Sequence, residues 1–338
     1  MRILAISHSL DLSGAPIALY RLLASLTGEH EVTVLSTGGS GPLKPMLEAA
    51  GIAVPNEVNP GRFDVVLCNT SICSDMVVRL GKRMPVVWWI HEGLAGHGFF
   101  VSKRADPAAF RHAGHIVFPT LWQARNVYAP WLGDTPWSVV PMGVPVPPRG
   151  QAAPFERRPG ECVLVHAASV TRRKGQDLTI EAVRRLGDAG IRVFFIGEPA
   201  AALDPMLREG EGDRFVRTGS IPPDRVAAFM EHCDALVLPT RDDLIPLVVQ
   251  EAMLLGTCVL TSDFGPIPET VQHGRSGLLS PVGDSRVLAG NIAMIRRDAA
   301  LRAALGAQGR KVAAQRHDFH MHREGMLQVL RQAAARDR

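Results

Sequence analysis

Short apolar runs of four to six residues alternate with longer stretches of helical period over most of the chain. RILAIS (residues 2–7), EVTVLS (31–36), DVVLCN (64–69), PVVWWI (85–90) and HIVFPT (115–120) read as strands, with a helix from about Ala15 to Leu26 after the first. Alternation of this kind marks βαβ units and a parallel sheet, so the first half predicts one doubly wound sheet. Residues 141–160, PMGVPVPPRGQAAPFERRPG, then hold six prolines and three glycines, which can continue neither a helix nor the centre of a sheet. The pattern restarts beyond them with CVLVHAAS (162–169), a helix near Gln176 to Gly187, RVFFIG (192–197), RFVRTG (214–219), DALVLPT (234–240) and TCVLTS (257–262). A second sheet of the same kind is expected. From Ser285 onward the pattern is helical, with a break expected between Gly306 and Gly309, a surface position, and a return of a last helix to the first domain left open. The reading is α/β with two domains, 1–150 and 151–338, facing each other across a cleft.

Length agrees, because 338 residues exceed what one hydrophobic core usually organises. Hydrophobic residues make up 46% and charged residues 21%, enough apolar material for two cores and no signature of disorder. Five cysteines, with no CxxC spacing, read as reduced core thiols of a cytosolic protein. The apolar start MRILAIS carries one positive charge and no cleavage pattern, and reads as a first strand rather than a signal peptide. No stretch approaches the roughly 20 apolar residues that span a bilayer, which leaves peripheral contact at the inner membrane face as the only membrane role expected. The net charge of +4 comes from 37 basic and 33 acidic residues without a dense basic block, which argues against nucleic acid and suits an anionic small molecule or an anionic membrane face.

In open parallel sheets ligands bind beyond the carboxyl ends of the strands, where helix N-termini favour anions. Chemistry is therefore sought in the loops that follow strands. The first, SHSLDLSGAPIAL, offers Ser13 as a helix N-cap and Gly14 where a ligand can approach the backbone. WWIHEG sets His91 and Glu92 beyond a strand, a position that favours function for His91. His97, His112 and His115 have no metal-ligand spacing, and His317, His320 and His322 read as a solvated helix face. AASVTRRKGQDLTIEAV puts Arg172, Arg173 and Lys174, one of only five lysines, in a strand-to-helix loop that can grip phosphate. ALVLPTRDDLIPLVVQEAMLLG carries Asp243 in a loop and Glu251 inside an otherwise apolar helix, where a bare charge needs a ligand hydroxyl or a cation. Pro246 lies near that helix's first turn and Gly256 at its end. The last loop, SDFGPIPETVQHGRSGLLSPVGD, places Gly265, Pro266, Pro268 and Glu269 at another helix start.

Taken in order, SGAPIALYRLL, RRKGQDLTIEA, LPTRDDLIPLVVQEAM and GPIPETVQHGRSGLLSPVGD resemble glycosyltransferase family 4, the retaining enzymes with the GT-B fold of two Rossmann-like domains. The resemblance implies that Gly14 lies against the donor's phosphates or sugar. Lys174, with a neighbouring arginine, would neutralise the departing diphosphate, and Glu251 would hold the nucleoside ribose. Asp243 stands eight residues before Glu251 where the family usually has Glu, and Ser169 stands where the family commonly has Arg, so Arg172 or Arg173 would have to compensate. His91 would contact the donor sugar near the reacting carbon, and Ile221, Leu244, Ile245 and Leu247 complete the expected donor set. No cofactor and no metal are expected, since no Asp-x-Asp pair occurs and cationic side chains would take the metal's place.

The function expected is transfer of a sugar from a UDP- or GDP-sugar to a hydroxyl acceptor such as a glycan, glycolipid or small metabolite. A sugar-nucleotide epimerase of the same architecture would convert the donor with no acceptor present. A non-catalytic nucleotide-sugar-binding protein, suggested by Asp243 and Ser169, would bind UDP or GDP without transfer. Donor base, acceptor and oligomeric state stay open.

Overall fold

The computed structural model describes residues 1–198 and 212–336. The chain divides into two compact units, Met1–Val144 with Phe319–Arg338, and Pro145–Asp318.

The first unit holds a parallel sheet of β1 (Arg2–Ser7), β2 (Glu31–Ser36), β3 (Val65–Asn69), β4 (Val86–Trp89), β5 (His115–Phe118) and β6 (Trp137–Val139) in the order β2-β1-β3-β4-β5-β6. Strands β3, β4 and β5 are buried throughout, which explains their unbroken apolar runs: helices cover both faces of such a sheet. Trp88, Phe110, Phe118 and Tyr128 are fully or almost fully buried, with the Trp88 and Phe110 ring centroids 4.9 Å apart. Each such side chain contributes about 1.5–3 kcal/mol by leaving water. Strand β6 escapes a sequence reading because it is a three-residue edge strand with the polar Ser138 at its centre.

The second unit holds β7 (Cys162–Ala167), β8 (Ile191–Ile196), β9 (Phe215–Gly219), β10 (Ala235–Leu238), β11 (Cys258–Asp263) and β12 (Leu278–Pro281), all parallel, ordered β12-β11-β10-β7-β8-β9. Counted within the unit this is the order 3-2-1-4-5-6 of dinucleotide-binding sheets, whose switch point lies between its first and fourth strands, β7 and β10. The loops that leave β7 and β10 are those bearing the basic triplet and the two aspartates.

Three expectations need correction. No break occurs between Gly306 and Gly309; helix Ala299–Arg316 runs through both. Those glycines serve close approach: a Cβ on Gly306 would lie 2.0 Å from the Gly256 carbonyl oxygen, at the end of the helix that carries Glu251. The last helix, Phe319–Arg336, is no mere surface element, because Met326, Leu327 and Leu330 are buried in the first unit, where the helix packs on β3 and β4. His317 and His322 are correspondingly buried rather than solvated: the Thr270 hydroxyl lies 2.9 Å from His317 Nε2, and the Pro141 carbonyl 2.9 Å from His322 Nδ1. Only His320 of the three is exposed.

Gly306→Ala is expected to lower unfolding free energy by about 1–3 kcal/mol, because backbone faces the new methyl. Gly290→Ala, exposed in helix Ser285–Arg297 with nothing within 4 Å of its Cβ, is expected to raise it by about 0.5–1 kcal/mol. Chemical denaturation of the two variants reads both signs.

Candidate active site

In the second unit, β7 ends at Ala167 and the chain turns through a 3-10 turn, Arg172–Lys174, into helix Gln176–Leu186. Gly175 makes the turn possible: its φ is +78°, and a Cβ there would lie 2.2 Å from the Pro239 carbonyl oxygen. This close approach brings the Lys174 ammonium to the loop after β10. Its Nζ donates to both carboxylate oxygens of Asp243, at 2.9 and 2.7 Å. Arg173 Nη1 donates to the same carboxylate and, at 2.7 Å, to the Asp242 carbonyl, while the Thr240 hydroxyl donates to Asp243 Oδ2 at 2.7 Å. The Lys174 and Asp243 side chains are only 14% and 13% exposed, whereas Arg173 stays 42% exposed and open to an anion.

Burial and charge act against each other here. Burial drives the Asp243 carboxyl toward protonation, but the Lys174 and Arg173 charges outweigh it and hold the carboxyl below its ordinary range. Burial lowers the Lys174 ammonium, and the Asp243 charge recovers only part of that. Both ions therefore exist because they are paired, and a site of this kind strengthens any further electrostatic contact made inside it.

Of the residues singled out from sequence, Lys174, Arg173 and Asp243 meet directly. Arg172 takes part through its backbone carbonyl, which accepts from Arg241, and its side chain is exposed. Ser169 is exposed after β7, its carbonyl accepting from Gln176 Nε2 at 3.1 Å. Leu244 is buried, Ile245 is half-buried between Asp243 and the helix Leu247–Leu255, and Leu247, half-buried, opens that helix. On that helix Glu251 is half-buried. Ile221 follows β9, the edge strand two places from β7. Arg241 and Asp177 are additions that the sequence reading missed: the guanidinium grips the Asp177 carboxylate through two bonds of 2.8 and 2.7 Å and ties the basic turn to the β10 loop. Their signal was present, since Arg241 immediately precedes the aspartates beyond β10 and Asp177 sits in the first turn of the helix after the basic triplet.

In the first unit the order of strands reverses at β1 and β3, and Gly14 opens helix Gly14–Ala24 just beyond β1. Ser13 occupies the N-cap position, but its side chain makes no cap bond; instead the Asp11 carboxylate accepts from the Ser13 amide at 2.8 Å. His91 lies past β4, its ring centroid 4.1 Å from that of Trp89 and its Nε2 2.6 Å from Asn69 Oδ1. Burial, reinforced by the charges of His322 and His8, pushes the imidazole down to about 3, so the ring is neutral. Glu92 turns its carboxylate to the Ser71 and His91 amides at 3.0 and 3.2 Å, bracing the loops after β3 and β4. Between them Thr70 has φ +77°, uncommon for a β-branched residue, and is held on every side: its amide donates to the Trp89 carbonyl, its carbonyl accepts from Trp88 Nε1 and from the Cys73 amide, and its hydroxyl lies 3.2 Å from His8 Nδ1. Asn69, Thr70 and His8 were missed from sequence, although each follows an apolar strand run as a polar residue.

Among the described residues no group of three His, Cys, Asp or Glu could hold a metal ion, and no helix is long and apolar enough to cross a membrane.

Comparison with known proteins agrees with this geometry. Residues 1–127 match the model for glycosyl-transferase family 4 and residues 151–312 that for glycosyl transferases group 1. The chain belongs to this glycosyltransferase family. It is similar to the amylovoran biosynthesis glycosyltransferase AmsK of Erwinia amylovora, at 29% identity over 137 residues, 37% of this chain and 34% of that protein. It is also similar to the D-inositol 3-phosphate glycosyltransferase of Acidothermus cellulolyticus, at 29% identity over 346 residues, 88% of this chain and 76% of the relative. The chain spans about a third of the length of the first curated relatives it matches. The crystal structure of Anabaena HepE in complex with UDP-glucose has a TM-score of 0.80 to this chain at 19% identity, covering 98% of this chain and 100% of that one. The shared architecture is the GT-B fold.

Neutral buried imidazoles predict the acid response. His91 and His166 are each pushed down to about 3 and His322 to about 4, burial being the largest cause in every case. The unfolded chain takes up these protons near pH 6.5 while the native state does not, so the unfolded state binds more protons and stability rises with pH. Unfolding free energies from urea denaturation are expected to fall steadily from pH 7 to pH 4.5, by up to about 1.4 kcal/mol per pH unit for each histidine. A flat profile over that range contradicts neutral burial.

Proposed function

We propose that this chain transfers a sugar from a nucleoside-diphosphate sugar, UDP- or GDP-linked, to a hydroxyl acceptor, with retention of anomeric configuration and without a metal ion. The observation that carries the reading is the Lys174–Asp243–Arg173 cluster at the switch point of the second sheet, where a parallel sheet receives an anionic ligand. Lys174 has three N–H donors, so it can keep Asp243 and still meet a phosphate oxygen, and the exposed Arg173 guanidinium supplies a second cation. When the bond between the anomeric carbon and the diphosphate oxygen breaks, the electron pair leaves with the diphosphate, and these fixed cations take up the charge without having to reorganise. An acceptor hydroxyl then attacks the carbon from the face the diphosphate left, and its proton passes to the departing diphosphate oxygen.

In this reading Gly14 lies against the donor, Glu251 meets the ribose, and His91 meets the sugar. Asp243 is aligned by Lys174, Arg173 and Thr240, and in the bound state it offers its carboxylate to a sugar hydroxyl. HepE, a structural relative, was crystallised with UDP-glucose, which supports a UDP-sugar as the first donor to test. The basic turn favours an anion because four cations, Arg172, Arg173, Lys174 and Arg241, stand there against three carboxylates, Asp177, Asp242 and Asp243, leaving one positive charge to neutralise.

A thermal-shift panel of UDP, GDP, ADP and their sugars identifies the donor, because a ligand that binds only the folded state raises the melting temperature. Lys174→Ala is expected to weaken binding of that donor about ten- to a hundredfold, the worth of one charge-assisted contact. Transfer should persist in EDTA, and the product's anomeric proton coupling should match the donor's. Undiminished donor binding by Lys174→Ala, or an inverted product, refutes the reading. His91→Ala is expected to lower turnover with little change in donor affinity, separable by steady-state kinetics alongside calorimetry.

A further inference from the structure

The Asn69 side chain is wholly buried at the end of β3, in register with Trp89 at the end of the neighbouring β4. Its Nδ2 lies 3.2 Å from the Ala15 carbonyl oxygen, in the first turn of the helix opened by Gly14. A carbonyl oxygen can only accept, so the amide nitrogen must face it, and this fixes which way the Asn69 amide points. The oxygen of the same amide then faces His91 Nε2 at 2.6 Å. An amide oxygen also only accepts, so Nε2 must carry a proton.

We propose that Asn69 is a positioning residue that holds His91 in its Nε2–H form and leaves Nδ1 bare, as the hydrogen-bond acceptor that the first unit offers to a sugar hydroxyl. A neutral imidazole has one proton, and with that proton committed to Asn69 the other nitrogen has only its lone pair to give. Ring orientation is fixed from a second side by Trp89, whose indole centroid lies 4.1 Å away. The titratable groups around the ring do not oppose this state. His8 comes from the loop after β1 and His322 from the last helix, and both favour a neutral His91 when charged. Glu92, the neighbouring carboxylate, accepts the backbone amides of Ser71 and His91 on its Oε2. The chain of contacts runs from the helix start at Gly14, through Asn69, to His91, so one side chain couples the backbone of the expected donor loop to the tautomer of the expected sugar contact. This inference rests on the transfer reading for the role of Nδ1, but the tautomer itself does not.

Two measurements separate those parts. Long-range 1H–15N correlation spectra of the full chain, with 15N-labelled histidine and His91 assigned by His91→Gln, report the tautomer directly. Expected at pH 7 is a protonated Nε2 and an unprotonated Nδ1, giving way to mixed tautomers in Asn69→Leu. In kinetics, Asn69→Asp keeps an acceptor for Nε2–H but adds a negative charge that stabilises the imidazolium. The acid limb of kcat is therefore expected to move up by about one pH unit or more. That means a kcat equal to that of the unsubstituted protein near pH 8 and a fall toward acid that begins about one pH unit or more sooner, with little change in donor KM. A purely structural role would depress kcat alike across the whole profile. A protonated Nδ1 in the unsubstituted chain overturns the proposal whether or not the variants fold, and so does an Asn69→Asp profile that superposes on that of the unsubstituted enzyme. Absence of transfer from every nucleotide sugar would retire the functional reading, while the spectra would still decide the tautomer.

Discussion

An ammonium and a carboxylate withdrawn from water can coexist only while each answers the other, and Lys174 and Asp243 are placed in that position by two strands that meet at a reversal of sheet order. Much of the second unit's architecture follows from keeping them there. Gly175 lets the basic turn come against Pro239, Arg241 locks that turn to the helix beyond it through Asp177, and Thr240 supplies the remaining hydrogen bond to the carboxylate. Further out, the glycine contact between Gly306 and Gly256 seats the helix that bears Glu251. Around that turn Arg172, Arg173, Lys174 and Arg241 stand against Asp177, Asp242 and Asp243, a surplus of one positive charge that the proposed phosphate contact would neutralise.

The first unit solves a different problem. It keeps a buried histidine neutral where the second unit keeps ions charged. Burial supplies neutrality, Trp89 supplies orientation, and the Asn69 amide supplies direction through the Ala15 carbonyl. The last helix matters here more than its position in the chain suggests, because it crosses back to pack on β3 and β4 and brings His322 within 5.3 Å of the Trp89 ring centroid. The strained Thr70 backbone marks the same place, held in its conformation by strand, indole and imidazole partners at once.

The strongest strands were legible as unbroken apolar runs, since a strand covered on both faces needs apolar side chains on both. VVLCN and VVWW lie in β3 and β4 for that reason. The basic triplet and the acidic loop were legible as well, because they fall directly after such runs. What could not be read was any feature set by partners distant in sequence. Trp137–Val139 became a strand only by pairing with β5, and Leu278–Pro281 only by pairing with β11. Gly306 and Gly309 looked like a helix break because a glycine's local preference is all that a sequence displays, whereas they admit the Gly256 and Ser276 carbonyls. His317 and His322 looked solvated because their polarity was visible and their burial was not.

By itself, then, the sequence determined two parallel α/β sheets, the proline-rich passage between them, and the residue types that gather where strands end, because periodicity and strand-to-helix turns are local properties of the chain. Tertiary structure decided which arginine joins Lys174, which amide fixes His91, and which unit receives the last helix. Those choices depend on strand order and on contacts between residues tens to hundreds of positions apart, as with Asn69 and Ala15 or His322 and Pro141. Hydrogen bonds of that kind have directions as well as partners, and direction exists only once the backbone is folded.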